Sequence, residues 1–71
     1  MTDDREWLRA VGMRVRLARV EARLSEEQLG ELCGVGRVTV GSIERGDHPG
    51  AVTSFRRLAD ALDVSIGELL R

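Results

Sequence analysis

All eleven basic residues of this 71-residue chain are arginine, and the guanidinium group is the most versatile chemistry the sequence offers. It presents five N–H donors in a planar fork that matches phosphates and guanine edges, a fit that lysine cannot reproduce. Groups able to break bonds are sparse. Cys33 and His48 are each the only residue of their type, and they lie far apart. No nucleophile paired with a base, phosphate-cradling glycine loop or metal-ligand cluster is legible. These residue types point to recognition rather than to an enzyme, with no cofactor, no metal and no small-molecule site.

The elements that position the arginines belong to one small domain. Seventy-one residues, 42% of them apolar with a single proline, suit a compact helical unit with a modest core. At 3% aromatic residues that core is mostly aliphatic. A lone cysteine allows no intramolecular disulfide and implies a reducing setting. No apolar run is long enough to span a bilayer, and the start MTDDRE is too acidic for a secretory signal; a cytoplasmic protein is expected. The net charge of −1 is unusual for a chain that binds nucleic acid, but it hides an uneven distribution. Six arginines stand against four acids in residues 1–24, and three glutamates with no base lie between Ser25 and Cys33.

Periodicity and punctuation divide the chain into five helices. The first runs from about Asp4 to Ala22, with Leu8, Val11, Val15, Ala18 and Ala22 along one face. Ser25 and Gln28 form a capping box for the second, whose Glu26 and Glu27 suit the positive end of its dipole. A third spans about Gly36 to Arg45 and stops at Gly46, before the loop GDHPG. Phe55, Leu58, Ala59 and Leu62 mark a fourth from about Val52. A second capping box, Ser65 with Glu68, opens a short fifth helix holding Ile66, Leu69 and Leu70. Within residues 26–45 a helix-turn-helix is spelled out: small Gly30 for a close crossing, Gly34 for the turn, and Leu29, Cys33, Val40 and Ile43 facing a common core. That pattern makes DNA binding the leading reading.

The stretches LSEEQL, GV, SIERG and LADALDVSIGELL stand in the order and spacing of a known family. From Val11 to Leu70 the chain resembles the Cro/repressor-type helix-turn-helix domains of small bacterial and phage DNA-binding proteins. The resemblance implies an all-α, five-helix fold like that of the lambda repressor's DNA-binding domain, covering residues 11–71, with residues 1–10 extending the first helix. It implies an ion pair between Arg19 and Glu44. It also sends the start of the third helix into the major groove, where Arg37 would contact guanine, Val38 a thymine methyl, and Ser42 a base edge one turn on. Gln28, Thr39, Arg45 and His48 become candidate phosphate contacts. Gly41 is expected on the exposed side, leaving room for the duplex.

Three positions depart from the family pattern. Glu26 replaces a Gln whose side chain commonly meets phosphate, Gly36 replaces the Ser or Thr N-cap of the recognition helix, and Arg23 replaces a Gly between the first two helices. A separate feature belongs to this chain. Met13, Leu17 and Val20 form a second apolar row, roughly opposite the core face of the first helix. Part of it, Val20 above all, could pack under the fourth or fifth helix. Otherwise, with Trp7 and the Leu69 and Leu70 end, it offers a surface for a second copy or another protein. The expected function is a transcription regulator that binds double-stranded DNA, at a palindromic operator, as a homodimer. The alternative is a protein-interaction module, or an antitoxin or controller component, with weak DNA affinity of its own.

Overall fold

The computed structural model describes residues 4–47 and 52–71, apart from the side chains of Val52 and Thr53. Five helices follow one another: α1 (Asp4–Glu21), α2 (Glu26–Cys33), α3 (Arg37–Arg45), α4 (Val52–Leu62) and α5 (Ile66–Leu70). No strand occurs among the described residues. The fold is the all-α, five-helix arrangement that the sequence implies.

The first four helices each close on a residue in the left-handed conformation. After α1, Leu24 N–H reaches Arg19 O and Arg23 N–H reaches Val20 O; after α4, Val64 reaches Ala59 and Asp63 reaches Asp60. The end of α3 repeats this pattern around Gly46, whereas at α2 the N–H groups of Gly34 and Val35 both reach Gly30 O. The ends of α1, α3 and α4 are Schellman motifs and that of α2 keeps their long bond, so carbonyls that the last helical turn leaves free are satisfied. The motif needs a left-handed residue. Gly34 and Gly46 supply it without strain at φ 75° and 77°, whereas Arg23 and Asp63 adopt φ 60° and 57° against the preference of a side-chain-bearing residue. In three of the four, the next residue is apolar and packs on the core: Leu24, Val35 and Val64.

Helix starts vary more. At α2 the capping box is complete, with Ser25 Oγ accepting Gln28 N–H and Gln28 Oε1 accepting Ser25 N–H. At α5 only the forward half forms, from Glu68 N–H to Ser65 Oγ. Gly36 caps α3 with no side-chain bond, so packing must hold that helix.

The core gathers Val11 and Val15 from α1, Leu29 and Cys33 from α2, Val40 and Ile43 from α3, Phe55, Leu58, Ala59 and Leu62 from α4, and Leu69 from α5. Two expectations fail here. Leu69 is 2% exposed, because α5 folds back on α1 and α4 and turns it inward; it offers no surface to a partner. Ala22 is exposed, since the chain leaves the helical path one residue before it could face the core. Met13, Leu17 and Val20 do stand together in solvent, so Val20 packs under neither α4 nor α5.

One close approach went unread in the sequence. A Cβ on Gly12 would fall 2.5 Å from the Glu44 carbonyl oxygen, and closer still to that of Ile43. The α1 backbone therefore lies directly against the last turn of α3, which sets the angle at which α3 is presented. A Cβ on Gly30 would meet Val35 O at 2.5 Å, so the small residue at the α2–α3 crossing is sterically required.

Candidate nucleic-acid interface

The buried residues of α3 are Val40, Gly41, Ile43 and Glu44, which fixes what that helix can show to solvent. Arg37 and Val38 are exposed at its N-terminal end, Val38 to 72%. Thr39 and Ser42 are half-buried, and Arg45 is exposed at the far end. Val38 and Ser42, one turn apart, thus share one accessible side of α3, with Arg37 exposed at its first position. Gly41 does not: it is buried, contrary to expectation. A Cβ there would lie 3.1 Å from Arg45 Nη1 and 3.3 Å from Glu26 Oε2, so two side chains fold across its bare face.

Rigidity behind this surface comes from the pair that the resemblance implied. Arg19 Nε donates to Glu44 Oε2 at 2.6 Å and Nη2 to Oε1 at 3.0 Å, while Nη1 bonds Leu24 O at 2.9 Å. The two side chains retain 14% and 4% of their exposure. Donating a hydrogen bond to Glu44 raises the Arg19 pKa above its ordinary value, burial opposes it, and the charges of Glu44 and Glu26 add to the rise. This single fork ties α1 to the end of α3 and to the α1–α2 turn. Such a buried pair fixes geometry more than it adds net stability, because desolvation offsets much of its attraction.

The candidate phosphate contacts are differently placed. Arg45 is partly engaged, its Nε 3.3 Å from Asp47 Oδ2 and its Nη2 3.5 Å from Ser42 Oγ. Gln28 spends its carbonyl oxygen on the cap, leaving its NH2 to donate outward. His48 lies outside the described residues. Sequence reasoning missed Arg16, an exposed arginine that lines a cleft together with Arg19, Glu26, Glu44 and Arg45. Its signal was there to find: Arg16 stands one helical turn before Arg19, on the flank of α1 that approaches α3. Among the described residues there is no group of three or more metal-ligating side chains and no helix long and apolar enough to cross a membrane. Cys33 is buried, its thiol donating to Leu29 O at 2.9 Å; burial pushes its pKa up, with a smaller opposing pull from Arg57.

Known proteins share this arrangement. The chain is similar to the control protein C.SmaI of Serratia marcescens, with 39% identity over 56 residues that cover 79% of this chain and 67% of that one. Its structure superposes on that of the restriction-modification controller protein C.AhdI from Aeromonas hydrophila with a TM-score of 0.91 at 37% identity, covering 96% of this chain and 99% of the other. The P22 c2 repressor protein, solved in complex with a synthetic operator, gives 0.82 at 28% identity over 86% of this chain and 92% of its own. Residues 10–71 match the family described as helix-turn-helix domain. The chain therefore belongs to the helix-turn-helix domain family and is a DNA-binding transcriptional regulator, with the family and fold of such regulators rather than of enzymes.

Proposed function

We propose that this regulator recognises a palindromic operator as a homodimer, with α3 lying in the major groove. The observation that carries the reading is the exposure of Arg37 and Val38 at the free end of a helix whose other side is anchored by Val40, Ile43 and the Glu44 fork. Arg37 donates two N–H groups to guanine O6 and N7, Val38 packs on a thymine methyl and Ser42 bonds a base edge. Gln28, Thr39, Arg45 and His48 hold the backbone and set register. Residues 11–71 form the binding domain and residues 1–10 extend α1. The protein acts in the cytoplasm, on the nucleoid when bound.

One short helix supplies few base contacts, which favours a dimer with half-sites about 34–36 Å apart. Met13, Leu17 and Val20, all at least half exposed, supply its apolar centre, with Trp7 and the half-buried Leu70 at the margins. Two of the relatives are controller proteins by name, which supports a controller role within the same DNA-binding reading.

Selection from random duplexes tests the proposal, because it reports half-site, spacing and symmetry together. A palindromic motif is expected, and no enrichment at low salt would sink the reading. On the selected site, Arg37→Ala should lose about 1–3 kcal/mol, roughly 5- to 150-fold, and relax preference at one base pair. Its affinity for unrelated duplexes should barely change.

A further inference from the structure

The cleft between α1, the start of α2 and the end of α3 holds three guanidinium groups and two carboxylates, and their bonding is unequal. Arg19 and Glu44 satisfy each other, with the third arm of Arg19 on Leu24 O. Arg16 makes no hydrogen bond or ion pair among the described residues. Arg45 commits Nε and Nη2 to Asp47 and Ser42. Its Nη1 instead turns over Gly41 toward the Glu26 carboxylate. The space a Gly41 Cβ would fill lies 3.1 Å from that nitrogen and 3.3 and 3.6 Å from the two Glu26 oxygens.

Glu26 is the unusual member. It is half-buried and accepts no hydrogen bond among the described residues, yet it stands at the first position of α2, where the helix dipole favours an anion. Its charge is felt by Arg19 as well. A carboxylate held among three arginines without a directional bond behaves as their counter-ion. The unspent donors around it are those of a phosphate seat: the Arg16 fork, Arg45 Nη1 and the free N–H groups of the first turn of α2.

Resting on the DNA-binding reading above, we propose that Glu26 is a built-in counter-anion standing where a phosphate of the DNA backbone would otherwise be received, and that Arg16 is the cation it holds in check. Glu26 lowers affinity for every sequence alike, because phosphates carry no sequence information. Specificity stays with the exposed end of α3, and weak non-specific binding keeps a small regulator from being dispersed over unrelated DNA. Gly41 belongs to the device, since a Cβ there would press on the ends of both the Glu26 and Arg45 side chains and make them give way by a few tenths of an ångström.

The test uses the full chain and two labelled duplexes, the selected site and an unrelated sequence, titrated by fluorescence anisotropy at several salt concentrations. Glu26→Gln should tighten binding to both duplexes alike, roughly fivefold to tenfold. It should also steepen the fall of log affinity with log salt by about 0.9 as one more phosphate contact forms. Arg16→Gln should weaken both duplexes, flatten the slope, and cost more in the Glu26→Gln background than in the parent. Glu26→Ala, with each variant's thermal melt, separates electrostatics from misfolding. Unchanged affinity and slope in folded Glu26→Gln and Glu26→Ala would overturn the proposal while leaving the DNA-binding reading intact. A changed preference between the duplexes would overturn it too, by making Glu26 a base reader. A parent that binds neither duplex at low salt would remove the DNA-binding reading and this proposal with it.

Discussion

Arg19 and Glu44 show how much one residue pair can decide. The Glu44 side chain keeps 4% of its exposure, so removing its partner leaves a buried charge without compensation. Arg19→Ala should lower stability by about 3 kcal/mol, a fall in Tm of roughly 15 °C for a domain this small. A thermal melt followed by circular dichroism checks it. Because the folded pKa of Arg19 lies above its ordinary value, the pair's contribution is complete below that value and fades only as pH rises through the folded one. From the arginine side, therefore, stability should not vary across neutral pH. Cys33 follows the same sign rule as a raised acid: stability falls once pH passes the ordinary thiol range, because only the unfolded chain then releases the proton freely. A thiol reagent should label Cys33 no faster than the chain unfolds, and rapid labelling of the native protein would contradict its burial.

At the scale of elements, the repeated Schellman closures and the α1–α3 contact govern how α3 is held. Arg23 bears the strain of a left-handed conformation, so Arg23→Gly should stabilise by about 0.5–1 kcal/mol, the relief of strain exceeding the added chain entropy. Asp63 shares the conformation, but aspartate tolerates it better, and a smaller gain is expected there. Gly12→Ala should do the opposite. A methyl group against the Ile43 and Glu44 carbonyls must push α1 away from α3, at a cost of about 2 kcal/mol or more. Urea midpoints for the two variants test both signs. The family departure at position 23 was legible in the sequence, but the reason it matters, a φ of 60°, required the backbone. Gly12 was legible only as a glycine in a helical run, a placement that costs about 1 kcal/mol and so asks for a packing reason.

For the whole molecule, the exposed row of Met13, Leu17 and Val20 is the surface on which the proposed homodimer rests. Leu17 is 54% exposed, so Leu17→Glu should leave the Tm of the monomer nearly unchanged while shifting sedimentation from dimer to monomer. Its affinity for the palindrome should fall with the second half-site, whereas a single half-site should be bound as before. A parent that sediments as a monomer at high concentration would remove the dimer from the proposed function.

Local patterns in the sequence were enough to determine the five helices, the capping box at Ser25, the stops at Gly34 and Gly46 and most of the core. Each depends on residues within a turn or two of one another, or on a face repeated every 3.6 residues. The family motif added the Arg19–Glu44 partnership across 25 positions. Tertiary structure decided what depends on how helices cross: Leu69 turned inward by the return of α5, Val20 left in solvent, and Gly41 buried beneath Glu26 and Arg45. It also placed Arg16 beside the end of α3. Periodicity tells which side of a helix is apolar, but only packing tells what lies against the other sides, and there the charges proposed to tune DNA binding are brought together.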